Sequence, residues 1–279
     1  MTLKIVVDSL CDIDGELSVD LDLTVVPVYV RFGDDIYRDR VEMTTEEFYH
    51  RLVHDDTFPS TTQPTPNDFL EVYNRLSKDA DELLVINLSS KLSGTYQSAL
   101  QARNMYEGKS RIEIIDSQLV VMGLGLVIIR AVQTVREGAN LDDAVDFVNR
   151  LLPKSHSVMF FDTLKYMAKG GRIGRATNLV GSLLSIKPVL TMKDGEVSPL
   201  TRVRSRAAGN DYLYNFVEGY KNIDLLAVEH ATTPDEADKL VQRLDKLYPK
   251  DKIYKSNVSP VIGTYVGPHV LSVSLLEKV

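Results

Sequence analysis

Two hydroxyl-rich stretches carry the residues best suited to chemistry. The first, Ser89-Ser90-Lys91-Leu92-Ser93-Gly94-Thr95-Tyr96, follows the apolar run Leu83-Leu84-Val85-Ile86 and leads into Ala99, Ala102 and Tyr106 at helical spacing. The second, Ser60-Thr61-Thr62-Gln63-Pro64, also precedes a helix. A hydroxyl beside a glycine at a helix mouth has two uses. Ser93 can cap its own helix by accepting from a first-turn amide. Alternatively, the unpaired amides and the positive end of the helix dipole can hold an anion, which Gly94 lets approach the backbone. Asp8-Ser9 and Asp116-Ser117 follow apolar runs in the same way.

A nucleophilic Ser93, serving an acyl hydrolase or transferase, is the rival reading. Leu-Ser-Gly-Thr is not the Gly-x-Ser-x-Gly elbow of hydrolases, and no base is spaced to serve it. The histidines His50, His54, His156, His230 and His269 are scattered. His50 and His54 share helical spacing but lack the intervening Glu of a metalloprotease, and read as a solvated face. No metal ligand set is predicted. The single cysteine, Cys11, excludes an internal disulfide and a thiolate metal site, fits a reducing compartment, and reads as a small buried residue. The stretch from Lys169 to Arg175 lacks phosphate-loop spacing and reads as a glycine-closed helix end. Arg202, Arg204 and Arg206 form a second basic group, either a solvated face or a docking patch for an acidic partner.

These residues need elements to hold them. Runs LKIVV, LTVVPVYV, ELLVINL and RIEIID alternate with amphipathic segments, which predicts a parallel sheet covered by helices. Thr44 with Glu47, Thr65 with Pro66 and Asp68, and Asn140 sign helix starts, and Gly138 closes a helix. Beyond Pro153 the pattern changes. Asp194-Gly195 between two β-rich runs predicts a hairpin and a mixed sheet, continued by IDLLAVEH, KIYKSN and VLSVSLL. Two α/β domains are expected, residues 1–154 and 155–279. A parallel sheet binds ligands beyond the carboxyl ends of its strands, where the hydroxyl clusters fall.

The chain of 279 residues carries a formal charge of −7, which excludes broad binding to nucleic acid and leaves at most transient contact with a membrane surface. The start MTLKIVVDS lacks the signature of a signal peptide, so a cytoplasmic protein is expected. The apolar stretch from Leu119 to Val132 is too short to span a bilayer and reads as a buried helix.

Taken together, these segments resemble the DegV family. The resemblance rests on Val7-Asp8-Ser9, Thr61-Thr62-Gln63-Pro64, Ser89 to Tyr96 with Ser98-Ala99, and Asp116-Ser117. It continues through Leu164-Lys165-Tyr166, Lys169 to Ile173, Ile186 to Leu190 with Gly195, Ile262-Gly263 and Gly267-Pro268. It implies a two-domain α/β protein that binds a long-chain fatty acid between its domains and uses no other cofactor. It also implies that the carboxyl group is presented to a separate ATP-dependent fatty acid kinase, so that the protein is not itself an enzyme. Carried over by position, Thr61 and Ser93 hold the carboxylate, within a cradle of Thr62, Gly94 and Thr95. Arg172 and Arg202 lie toward the kinase-facing surface. Where the family has a histidine in the last loop, this chain has Tyr265, whose phenol can donate, and His269 is the candidate to fold back in its place.

Overall fold

The computed structural model describes residues 2–179 and 186–279 of the chain. In the first half β1 (Leu3–Asp8), α1 (Gly15–Asp20) and β2 (Thr24–Val26) lead to β3 (Tyr29–Phe32), β4 (Asp35–Arg38) and α2 (Thr45–His54). Next come β5 (Ser60–Thr62), α3 (Pro66–Leu76), β6 (Glu82–Asn87) and α4 (Thr95–Met105), then β7 (Arg111–Asp116), α5 (Val121–Arg136) and α6 (Leu141–Leu151). Strands in the order β2-β1-β6-β7 form an all-parallel sheet. Every residue of β6 is buried, as a strand covered on both faces requires. The helix starts are those the sequence signs: Thr44 accepts from Glu47 N, Asn140 from Asp143 N, and Thr65 and Asp68 cap each other reciprocally.

One expected strand divides. LTVVPVYV becomes β2, on the parallel sheet, and β3, which joins β4 and β5 in a separate antiparallel sheet ordered β4-β3-β5. Pro27 lies between them and has no N–H to carry one ladder through. The Ser60 to Thr62 segment is therefore a strand, with Thr61 opposite Val30 and Thr62 opposite Tyr29. Ser93 also departs from expectation. The residue in the N-cap position of α4 is Gly94, which has no side chain to bond, and Ser93 one position earlier accepts from Thr95 N at 3.3 Å.

The second half runs through β8 (Ser155–Phe160), α7 (Lys165–Gly170), β9 (Lys187–Lys193), β10 (Glu196–Val203) and α8 (Arg206–Glu218). It ends with β11 (Ile223–His230), α9 (Pro234–Leu244), β12 (Ile253–Asn257), α10 (Pro260–Val266) and β13 (Leu271–Glu277). Its sheet, ordered β10-β9-β8-β13-β11-β12, is antiparallel except between β11 and β12. Asp194 and Gly195 both have positive φ, 52° and 78°, the two-residue turn whose twist suits a hairpin. Met159 pairs with Leu190 and Met192 with Val197, which places four apolar side chains on one face of this sheet.

Helix α5 joins the halves. It is apolar nearly all round and buried from Val121 to Ile129, because it packs on β8, β11 and β13 of the mixed sheet as well as on α6. One apolar cluster accordingly runs from Ile5 and Val7 of β1, through Leu124 and Ile128, to Met159 and Leu190. No helix among the described residues is long and apolar enough to cross a membrane.

Candidate functional site

A cavity of about 320 Å³ opens where the carboxyl ends of the parallel strands meet the Met159 face of the mixed sheet. That volume lies at the lower end of the range usual for small-ligand sites. Leu10 follows β1, Val28 follows β2, and Leu88, Leu92 and Ser93 follow β6. Met159, Leu190, Met192 and Val197 form the wall facing them, and Val261, Ile262 and Val266 of α10 close a third side. Thr191 also faces the cavity, but its hydroxyl donates to the Ser157 carbonyl at 2.7 Å. The polar groups left are Thr61, Thr62, Gln63, Ser93, Arg172 and Tyr265.

Thr61, Tyr265 and Arg172 form one chain of contacts, while Gln63 and Ser93 each bond within the segment from Ser93 to Ser98. Thr61 Oγ1 and the Tyr265 hydroxyl are hydrogen-bonded, although the residues lie 204 positions apart. The Arg172 guanidinium stands 5.3 Å from the centre of the Tyr265 ring and donates to the carbonyls of Gly170 at 3.0 Å and Leu92 at 3.3 Å. Gln63 Nε2 donates to Ser98 Oγ at 3.3 Å, and the Gln63 side chain packs against Gly94. A Cβ on Gly94 would come within 2.1 Å of Gln63 Oε1, so this close approach requires glycine. Ser93 and Thr95 share a hydroxyl contact at 2.9 Å, while Ser93 Oγ also accepts from Thr95 N at 3.3 Å.

The structure divides the predicted cradle. Thr61, Thr62, Ser93 and Tyr265 line the cavity. Gly94 and Thr95 do not: the glycine backs Gln63, and Thr95 is fully buried behind Ser93. Ser89 and Ser90 serve the frame. Ser89 Oγ donates to Gly195 O at 2.7 Å and Lys91 Nζ to Asp194 O at 2.8 Å, pinning the β9–β10 turn to the first half. Ser90 N donates to Asp116 at 3.0 Å. Asp8 is equally structural, accepting from Leu10 N, Leu88 N and Asn87.

Tyr265 stands on the last turn of α10 rather than in a loop, and its reach to Thr61 depends on that helix packing beside β3 and β5. His269 does not fold back. It is exposed, and its Nδ1 is 3.2 Å from Thr232 Oγ1, in a different cleft. Arg172, expected on a docking face, is exposed and also lines the cavity. Arg202 and Arg204 are exposed on and just beyond β10, whereas Arg206 is committed to Glu236 and Asp162. Gln63 is the functional candidate that sequence reasoning quoted without assigning it. The signal was there in its place beside Thr61 and Thr62.

Chemically, the lining offers neutral hydroxyl and amide donors, one guanidinium and extended apolar walls. Among the described residues no Asp, Glu or His lines it, so Ser93 has no general base within the site. No group of three or more His, Cys, Asp or Glu among the described residues is placed to hold a metal. The arrangement suits an anionic head on an apolar body.

Comparison with known proteins bears on this geometry. A family model described as an uncharacterised protein of the DegV family matches residues 2–278. A DegV domain-containing protein of Caldanaerobacter subterraneus subsp. tengcongensis is 33% identical over 280 residues, covering 99% of each chain. The solved structure of a fatty-acid-binding DegV family protein from Thermus thermophilus is 32% identical, covers 100% of both chains and superposes with a TM-score of 0.91. The structure of DegV, a fatty acid binding protein from Bacillus subtilis, is 26% identical over 100% of both chains, also with a TM-score of 0.91.

Proposed function

The chain belongs to the DegV family, and we propose that it binds a long-chain fatty acid in this cavity. The carboxylate rests on Thr61, Thr62, Gln63, Ser93 and Tyr265, and the acyl chain lies along the apolar walls. The observation that carries the reading is the composition of the lining, in which hydroxyl, amide and guanidinium donors share one cavity with apolar walls and, among the described residues, no acidic side chain. The fatty-acid binding reported for the Thermus and Bacillus relatives supports it.

The energetics agree. Some 14 to 16 methylenes at about 0.8 kcal/mol each give on the order of 10 kcal/mol before the costs of association. The carboxylate loses several kcal/mol on leaving water unless its oxygens are hydrogen-bonded, and neutral donors meet that need without a tight ion pair. We further propose that the protein is not an enzyme. Working in the cytoplasm, it presents the carboxyl group to a separate ATP-dependent fatty acid kinase. There a carboxylate oxygen attacks the terminal phosphorus of ATP, giving acyl phosphate and ADP. Exposed Arg172 and Arg202 supply positive charge for that docking.

The test is organic extraction of protein purified from a bacterial host, followed by mass spectrometry. A stoichiometric free fatty acid supports binding. An empty protein with esterase turnover that Ser93→Ala abolishes would sink it. Acyl phosphate formed only when the host's kinase is added tests the partnership.

A milder prediction follows from the close approach at Gly94. In Gly94→Ala the new methyl displaces the Gln63 amide, the flexible end of a side chain, so the fold is kept while a head-group donor moves. Equilibrium binding of a fluorescent fatty acid is expected to weaken several-fold, with a melting temperature close to that of the wild type. Unchanged affinity would remove Gln63 from the site.

A further inference from the structure

Against the cavity wall, where the two halves join, three buried carboxyls lie within electrostatic reach of one guanidinium, which Asp12 contacts directly. Asp12 and Glu229 are 0% exposed and Asp39 is 1% exposed. Asp12 Oδ1 lies 3.4 Å from Arg40 Nη2 and accepts from Ser259 N at 3.3 Å. Arg40 also donates to the carbonyls of Ile13 and Asn257. Asp39 accepts from Ser9 Oγ at 2.7 Å. Glu229, on β11, accepts from Met122 N at 3.1 Å and Ser272 Oγ at 3.0 Å. One oxygen each of Asp12 and Asp39 is buried without a partner. Asp12, Asp39 and Arg40 belong to the first half of the chain, and Glu229, Asn257 and Ser259 to the second.

The same contacts reach the cavity. Val28 N donates to Ser9 Oγ, which in turn holds Asp39. Val121 immediately precedes Met122, and Val261 follows Ser259 by two residues. All three valines line the cavity. On the other side a polar cleft of about 470 Å³, lined by Arg40, Ser256 and Asn257, gives water a route to the group.

The charges do not balance. Other titratable groups facing the cluster are Asp8, Cys11 and Tyr49, all raised by burial, Cys11 to about 12, and, in the cleft that Arg40 lines, Asp14, Asp238, Lys255 and His230, whose imidazole burial lowers. Arg40 is the cation set against the three carboxyls, since Lys255 across the cleft is exposed and paired with Asp238. Burial first, and then the charge of neighbouring carboxylates, raises Asp12 to about 6, Asp39 to about 7 and Glu229 to about 8, with Arg40 opposing.

We infer that Asp12, Asp39, Arg40 and Glu229 form a proton-dependent latch that positions the cavity wall and holds the two halves together, so that its ionisation promotes release of the ligand. A carboxyl raised in the closed protein keeps a proton that the opened, hydrated form gives up near its ordinary value of about 4. The advantage of the closed form is therefore full below about pH 4, declines from there as pH rises, and levels as each closed-form value between about 6 and 8 is passed. Each proton so linked changes the opening equilibrium by up to about tenfold per pH unit.

The test compares wild type with Glu229→Gln, and with Asp39→Asn should the first variant fail to fold. The melting temperature of delipidated protein is followed from about pH 5 to 9, and release of a fluorescent fatty acid is timed at about pH 6 and 8. In the wild type the melting temperature is expected to fall to about pH 8 and then level, and release to quicken about tenfold. The variant makes both profiles shallower, because one of the three linked protons is gone, and comparing the two proteins removes the titration of the fatty acid itself and of His230, whose lowered value acts in the opposite sense. A wild-type melting temperature that is flat or rising over this range overturns the latch. So does a variant that shifts stability equally at every pH, which is what a purely structural role predicts. The release measurement rests on the fatty-acid reading and the melting profile does not, so a probe that binds at no pH counts against that reading while the melting profile still decides the latch.

Discussion

Val197→Trp is expected to lower affinity for a long-chain fatty acid by about a hundredfold. Val197 faces the cavity beside Met192, on β10 at the edge of the mixed sheet, and is only half-buried. An indole there occupies the volume of about four methylenes of the acyl chain. At about 0.8 kcal/mol each, the loss is roughly 3 kcal/mol, or two powers of ten in affinity. Overpacking of a buried core position costs about 1–3 kcal/mol, and the edge location keeps the penalty near the lower figure. Competition binding with a melting curve separates the two effects. Wild-type affinity in a protein known to carry the indole would place the acyl chain elsewhere.

Removing the head-group donors acts on the other end of the ligand. Hydrogen bonds to a charged group contribute about 1.5–3 kcal/mol each, so Ser93→Ala is expected to weaken binding about ten- to hundredfold. Adding Thr61→Val also deprives Tyr265 of its partner and should take the loss beyond a hundredfold, short of additivity because Gln63 and Arg172 remain. The diagnostic control is the methyl ester of the same acid. Its uncharged head makes weaker bonds, so the double variant should bind it nearly as well as the wild type does. An equal loss for acid and ester would mean that the substitutions disturb the walls rather than the head-group contacts.

Much of this site was legible in the chain because its signals are local. Ser93 falls after an apolar strand and before a helix, which is where a parallel sheet collects ligand-binding groups, whereas Thr61 and Thr62 reach the same cavity from the separate antiparallel sheet. Neighbouring hydroxyls gave no such guide to their own roles. Ser89, Ser90, Ser93 and Thr95 lie within seven positions, yet the first two fasten the frame, Ser93 faces the cavity and Thr95 is buried behind it. Which of them faces the cavity depends on tertiary partners such as the turn from Asp194 to Gly195, which comes from the other half of the chain and takes up Ser89.

The sequence by itself determined most of the strands, the caps of α2, α3 and α6, the hairpin and the largely apolar character of α5, because propensity, periodicity and turn chemistry act over a few residues. It also carried the pattern shared with the DegV family. Only the tertiary structure split β2 from β3 at Pro27, set Thr61 opposite Val30, and carried Tyr265 across 204 positions to meet it. It alone gathered Asp12, Asp39, Arg40 and Glu229 around one charge imbalance. Such contacts are decided by how faces pack and by what burial does to a charge, and neither is written in the spacing of residues along the chain.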